Sequence, residues 1–364
     1  MLEFGPMIEP GPGLRRSTRG AAADAILITG GAGFIGSRLA ASLVEDGHRV
    51  LALDDLSGTG GSTCLVDALL GHPSFEFHEG SAKDRGLVQS IAARVGRVVH
   101  LAGTVGVRAV FDDPERAYDN NLECTRVVLG CAAERGLPTL IASSSEVYGT
   151  GGGGQLSEDD ALLPPADQES RSRYARAKWE GEQLALELAR THRVRIAIAR
   201  LFNVTGPGQL TAGMVIPSFV RQALCGEPIT VYDDGRQTRC FMHVEDAASA
   251  IRGLLESEPP ARAGALSILP GIQIPIPAPL KAPLLVNVGS DEEVSILELA
   301  RRIKALTRSR SRIEHVDPST IFGPRFVEPR RRVPDLSRLR ALGFEAHRGL
   351  DDILHDTIEW MTRK

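Results

Sequence analysis

Ser144, Tyr174 and Lys178 are the residues of this chain whose types and spacing could move a proton on and off a hydroxyl. Tyr174 and Lys178 stand four apart, which sets both on one face of a helix. A phenol ordinarily titrates at about 10 and is a poor base at neutral pH, but an ammonium one helical turn away favours the phenolate. Much earlier, Thr29-Gly30-Gly31-Ala32-Gly33-Phe34-Ile35-Gly36 follows the apolar run Ala25–Thr29. Gly30 lets the strand turn sharply, Gly33 lets the backbone approach a pyrophosphate, and Gly36 lets the next helix pack closely. The positive end of that helix would face the phosphates, with Phe34 and Ile35 in its first turn. One set removes a proton while hydride leaves the same carbon, and the other holds a dinucleotide to take it. Redox chemistry with a bound nicotinamide is the reading.

Those groups need a frame, and the pattern supplies one. Apolar runs at Ala25–Thr29, Arg49–Leu53, Phe75–His78, Arg97–Leu101, Thr139–Ser143 and Arg195–Leu201 alternate with amphipathic stretches at Phe34–Asp46, Asp84–Arg94, Pro114–Arg135 and Tyr174–Thr191. Strict alternation predicts an α/β fold, a doubly wound parallel sheet with helices on both faces. After Asn203, Pro207, Pro217 and Pro228 break the pattern, and a smaller α/β lobe is expected from 203–242 and 284–364. His243–Leu255 reads as a helix returning to the first lobe. Residues 257–283 are proline-rich and read as a surface loop insertion, suited to neither helix nor interior strand. Residues 1–23 read as a flexible leader without the apolar core of a signal peptide.

Asp54 ends the second strand about twenty residues past the glycine turn. A carboxylate there accepts from both ribose hydroxyls and repels a 2′-phosphate, which predicts NAD rather than NADP. Asp55 beside it, Ser81 after the third strand, and Leu101, Ala102 and Gly103 after the fourth lie along the expected cofactor path. His100 reads as a packed strand-end histidine with no chemistry assigned.

The chain has 364 residues, a formal net charge of −4 and 24% charged residues. That balance gives no basis for nucleic-acid binding, which needs a basic face. No apolar run approaches the roughly 20 residues of a membrane helix. The five cysteines form no Cys-x-x-Cys pair, so neither zinc nor a redox dithiol is expected and a reducing cytoplasm suits the chain. Cys124 and Cys131 read as buried small apolar residues on one helix.

The motifs together resemble the extended short-chain dehydrogenase/reductases, in the NAD-dependent nucleotide-sugar epimerase/dehydratase group. The matching pieces are Thr29–Gly36, His100–Gly103, Ser143–Gly149, Tyr174-x-x-x-Lys178, Phe202–Asn203, Gln237–Phe241 and Arg331–Asp335. The resemblance implies that Ser144 is the catalytic hydroxyl, Tyr174 the base and Lys178 its partner, which also holds the nicotinamide ribose. It implies contacts from Asn203, Arg239 and Arg332 to the nucleotide diphosphate, and guanidinium forks grip phosphate oxygens well. Val215 and Arg108 join them as candidate substrate contacts. Homodimerisation through the helices Pro114–Arg135 and Tyr174–Thr191 is implied too. In one departure, Gly80 is followed by Ser81 where the family often has an Asp that meets adenine.

Such enzymes oxidise the sugar C4 hydroxyl, and the 4-keto sugar then has three fates. It can be reduced from its other face, lose its C6 carboxylate as carbon dioxide, or lose water after C5 deprotonation. Ser145 and Glu146 bear on the choice, because a carboxylate beside the catalytic serine can act at C5. Ser-Glu resembles decarboxylases and some dehydratases. The acidic Tyr-Asp-Glu-Gly-Lys run of the main uronate decarboxylases is missing, however, although Arg173 or Arg108 could meet a carboxylate. The Asp-Glu pair of the commonest dehydratases is also absent. The sequence therefore favours 4-epimerisation, with decarboxylation close behind, dehydration third and a non-catalytic NAD-binding scaffold remote.

Overall fold

The computed structural model describes residues 25–149, 153–160, 170–210, 213–257, 265–269, 272–275, 283–323 and 328–363. The expected leader lies outside them. The first half alternates as β1 (Ile26–Thr29), α1 (Phe34–Glu45), β2 (Val50–Asp54), β3 (Phe75–Glu79), α2 (Arg85–Ala92), β4 (Arg97–His100), α3 (Val107–Asp112), α4 (Pro114–Glu134), β5 (Thr139–Ser144), α5 (Ser170–His192) and β6 (Ile196–Leu201). The second half holds β7 (Val204–Thr205), α6 (Val215–Leu224), β8 (Ile229–Tyr232), β9 (Thr238–Cys240), β10 (Met242–His243), α7 (Val244–Glu256), β11 (Ala265–Leu269), β12 (Ile272–Pro275), β13 (Leu284–Val288), β14 (Glu293–Ser295), α8 (Ile296–Leu306), β15 (Ile313–Val316), α9 (Ser319–Phe322), β16 (Arg331–Arg332), α10 (Ser337–Ala341) and α11 (Leu350–Thr362).

Seven parallel strands form the main sheet in the order β13-β6-β5-β4-β1-β2-β3. Successive side chains point to opposite faces, so the buried runs supply two cores at once. Ile26, Ile28, Val50 and Ala52 meet α1 and α7 on one face, while Leu27, Leu51 and Leu53 meet α2 and α4 on the other. Cys124 and Cys131 are buried in that second core. Caps fix the helix starts. Asp84 Oδ1 accepts from Leu87 N at 3.0 Å ahead of α2, and Asp113 Oδ1 accepts from Arg116 N at 3.1 Å ahead of α4, which has Pro114 in its first turn. Strand order reverses between β1 and β4, where such sheets open a ligand crevice at their carboxyl ends.

The structure differs from the sequence reading in four places. The fifth helix starts at Ser170, so Tyr174 lies in its second turn rather than at its head. The segment after β4 contains the short helix α3, because Val107–Asp112 close one and a half turns before Asp113 caps the next helix. The expected second lobe, 284–364, is divided. Leu284–Val288 joins the main sheet beside β6, and Leu336 and Leu339 of the α10 region pack into the core under α1 and α7. The separate lobe core lies between α6, β8, α8 and α11, around Phe219, Ile229, Leu299 and Ile353. Within the proline-rich insertion, β11 and β12 pair antiparallel with each other, where a loop without strands was expected. Prolines sit outside β11 and only at the last residue of β12, so both strands keep amide donors where the ladder needs them.

Two short contacts tie the lobes beside the carboxyl ends of the sheet. Leu156 N donates to Val333 O and Asp335 N donates to Leu156 O, both at 2.8 Å, making an isolated parallel bridge between Leu156 and Pro334. Asn287 of β13 donates its side-chain amide to Leu156 O at 2.8 Å and its backbone N–H to Glu158 Oε1 at 2.7 Å.

Candidate active site

The glycine turn closes as tightly as its composition demands. Gly30 has φ +73°, and a Cβ there would stand 2.7 Å from Ala102 N. A Cβ on Gly36 would stand 2.0 Å from Gly30 O, so α1 could not approach the turn with any larger residue. Gly33 N donates to Gly30 O at 3.1 Å, and no side chain caps the first turn of α1 at Phe34 and Ile35. This bare helix start, at the reversal of strand order, has the open amides and geometry that suit a pyrophosphate. Gly31, not singled out from the sequence, is fixed as well, since a Cβ there would meet Ala52 Cβ at 2.6 Å.

Asp54 braces the cradle. Its Oδ2 accepts from Ala32 N at 3.0 Å and its Oδ1 from Leu56 N at 2.8 Å. Burial raises its carboxyl pKa against these amides, which lower it. Asp55 turns outward, where Oδ1 accepts from Ser57 N and Oγ at 3.0 and 2.6 Å. Ser81 Oγ accepts from Lys83 N at 3.3 Å. Leu101, Ala102 and Gly103 line the far side, half-buried. Asn121 of α4 holds that side in place. Its Oδ1 accepts from Thr104 N at 2.7 Å, and a Cβ on Gly103 would crowd the same oxygen at 2.4 Å. The sequence signal for Asn121 was weak, because an amide on an amphipathic helix reads as solvated.

His100 is buried between two hydroxyls, Thr29 Oγ1 at 2.7 Å from Nδ1 and Thr125 Oγ1 at 3.1 Å from Nε2. Thr125 Oγ1 donates onward to Asn121 O, so it accepts from Nε2–H, and Nδ1 accepts from Thr29. Burial, helped by the Lys178 charge, pushes this imidazole from 6.5 down to about 3. A depressed folded-state value means that the unfolded chain binds the proton first. Stability is therefore complete above the unfolded value and is lost as pH falls from 6.5 towards 3. The expected slope is about 1.4 kcal/mol per pH unit for this group. Melting temperatures recorded between pH 7.5 and 5 should fall accordingly, and a His100→Asn variant should lose that share of the slope.

Tyr174, Lys178, Ser144 and Glu146 come together beside the crevice. The Ser144 hydroxyl bonds the Tyr174 phenol and accepts from Glu146 N at 3.2 Å. Lys178 Nζ donates to Ala142 O at 3.0 Å and lies 6.0 Å from the Tyr174 ring centroid. Burial pushes Tyr174 up to about 12, with Glu146 adding to the rise and Ser144 opposing it. Burial also draws Lys178 down to about 8. The phenol thus needs added positive charge nearby before it can serve as a base at neutral pH. Ser145 is buried.

The arginines come from the second lobe. β16 pairs parallel with β9 so that Arg332 and Arg239 are register partners, both buried. Arg332 donates to Glu146 Oε1 at 2.5 Å and to Gly149 O at 3.0 Å. Arg239 donates to Glu328 and to Thr238 O, the latter at 2.7 Å. Asn203 has φ +37° and donates its amide to Cys240 O at 2.8 Å, next to Arg239. Val215 is the first residue of α6 and packs against the lobe core. Arg173 pairs with Glu115 at 2.7 Å, and the Arg108 side chain lies outside the described residues.

A model of the NAD dependent epimerase/dehydratase family matches residues 26–264. The chain belongs to that family. Its members are NAD-dependent enzymes, and the cradle, the Asp54 brace and the Tyr-x-x-x-Lys pair fit such a cofactor. Among curated proteins, the UDP-N-acetyl-alpha-D-glucosaminuronate decarboxylase of Bacillus cytotoxicus is 34% identical over 92% of this chain and 96% of its own. UDP-glucuronic acid decarboxylase 1 of Danio rerio is 32% identical over 93% of this chain and 73% of its own. Among solved structures, UDP-glucuronic acid 4-epimerase from Bacillus cereus has the same fold, with a TM-score of 0.79 at 24% identity, over 93% of this chain and 99% of that one. No helix among the described residues of this family member is long and apolar enough to cross a membrane, and no cluster of three or more His, Cys, Asp or Glu side chains there is placed to hold a metal ion.

Proposed function

We propose that the protein decarboxylates a nucleotide-diphosphate-linked uronate, UDP-glucuronate or a 2-acetamido analogue. The observation that carries this is the Glu146 carboxylate, held by Arg332 at 2.5 Å beside Ser144 and Tyr174. A 4-epimerase needs no carboxylate there, so this placement moves the weight from the epimerase reading towards decarboxylation. The two curated relatives support the same choice.

Gly30–Gly36, Asp54, Tyr174 and Lys178 would hold NAD, which would supply a reversible hydride acceptor for the sugar C4. The residues of the chain do the rest. The Tyr174 phenolate accepts the C4 hydroxyl proton while Ser144 hydrogen-bonds the same oxygen. The 4-keto group makes the C6 carboxylate a β-keto acid. Its C5–C6 bond breaks, carbon dioxide leaves, and the electron pair moves onto the C4 oxygen beside Ser144 and Tyr174. Glu146 governs proton delivery to C5. Arg239 and Arg332, each already facing carboxylate oxygens, grip the diphosphate, with Asn203 beside them. The α4 and α5 helices, packed side by side, provide the face for a homodimer.

Incubation with NAD and UDP-glucuronate, followed by product mass, tests this. The expected product has lost carbon dioxide. A product of unchanged mass with inverted C4 means 4-epimerisation instead, and loss of water means dehydration.

A further inference from the structure

Behind Lys178 lies a buried ion pair that the reaction above does not use. Glu182, one helical turn further along α5, accepts from Arg200 Nε and NH2 at 2.9 and 2.7 Å. Both side chains are almost wholly buried, at 1% and 3% exposure. Ser143, register partner of Arg200 and immediate neighbour of Ser144, donates its hydroxyl to Glu182 Oε1 at 2.5 Å. Arg200 NH1 donates to Tyr148 Oη at 2.9 Å, and Tyr148 donates to Asn287 Oδ1 at 2.7 Å. One carboxylate thereby fastens α5 to β5 and β6 at the level of the catalytic groups. Buried bidentate pairs of this kind are weak evidence for stability by themselves, and their best-attested use is fixing one arrangement.

We propose that Glu182 is the positioning residue for Lys178, cancelling the Arg200 charge behind it and fixing the register of α5 so that the ammonium stays protonated beside Tyr174. This rests on the redox role of the Tyr174–Lys178 pair, but not on which sugar reacts. The groups facing Lys178 support it. From its own helix these are Tyr174, its ring centroid 6.0 Å away, and Glu182; from α4 Cys124, from β4 His100, and from β5 the Ala142 carbonyl oxygen at 3.0 Å. The Cys124 thiol is pushed up to about 11 and the His100 imidazole down to about 3, so both are neutral where Lys178 titrates. Glu182 is then the anion that acts on Lys178. Without it, the buried Arg200 cation would act on Lys178 unopposed.

The test follows the Lys178 ε-carbon by NMR in the full chain with and without NAD, its signal assigned by its loss in Lys178→Met. In Glu182→Gln, which keeps the side-chain shape, the Lys178 midpoint should fall by about one unit. The alkaline limb of kcat with UDP-glucuronate should move down with it. Ser143→Ala removes one donor from the carboxylate and should move the midpoint slightly up. A purely structural role would change melting temperature in both variants and leave both midpoints where they are, which would overturn the proposal. If Glu182→Gln does not fold, an unmoved midpoint in Ser143→Ala overturns it alone. The NMR midpoint needs no substrate, so failure of the decarboxylase reading would leave this result standing.

Discussion

Replacing Tyr174 with phenylalanine is expected to lower kcat by about a thousandfold while leaving NAD affinity within about twofold. The ring would still pack beside Lys178, because only the hydroxyl that bonds Ser144 is removed. Among the described residues, three neighbouring groups cannot take its place as the base. Ser144 is not acidic enough, Lys178 carries its charge at neutral pH, and His100 is sealed between Thr29 and Thr125. Burial, with Glu146 adding to it and Ser144 opposing, holds the phenol up at about 12, so its usefulness depends on positive charge arriving with the cofactor. The measurement is single-turnover formation of reduced cofactor, monitored by its absorbance. A rate near that of the unmodified protein would remove Tyr174 from the chemistry.

Replacing Glu146 with glutamine should separate the possible reactions. We expect carbon dioxide release to slow by about a hundredfold, with KM for UDP-glucuronate changed much less. The amide keeps an acceptor for Arg332 but cannot shuttle a proton to C5. The first half-reaction, oxidation at C4, should persist, so 4-keto product should accumulate and be trapped by borohydride. An epimerase would be spared by this substitution. The exchange also leaves the buried Arg332 cation without its carboxylate, and breaking a buried pair can cost about 3–5 kcal/mol. Binding of the nucleotide sugar, whose diphosphate would answer that cation, should raise the melting temperature more in the variant than in the unmodified chain.

The main sheet was legible because most of its strands are largely apolar runs and two of its helices begin at clear caps, at Asp84 and Asp113. The glycine turn was legible for a related reason, since close backbone approach leaves glycine as the only residue that fits at Gly30 and Gly36. The seventh strand was not. Leu284–Val288 follows a proline-rich stretch and lies far from its partner β6 in the sequence, so nothing local marks which sheet it joins. The same distance hid the pairing of Glu146 with Arg332, which stand 186 residues apart. Local charge pattern does not separate Arg332 from Arg330 and Arg331; the family resemblance singled it out, and the β9–β16 register turns Arg332 inward while Arg331 faces Glu293. Arg200 was missed for the opposite reason. Inside the apolar run of β6 it is a lone charge, and its partner Glu182 reads as one more polar residue on a helix. Both arginines are buried charges whose neutralising carboxylates come from other elements, information that a window of sequence does not hold.

The bridge between Leu156 and Pro334 bears on how new substrate preferences could be built into this scaffold. The segment leading out of the catalytic strand is buttoned by backbone bonds to the residues directly after Arg332, and Asn287 clasps it from the side. Transplanting the 150–172 segment from a relative would carry over half of a matched seam. A working chimera has to exchange 150–172 and 328–336 as one cassette, with residue 287 chosen to suit, and single-segment grafts should lose grip on the diphosphate before they alter which sugar is accepted.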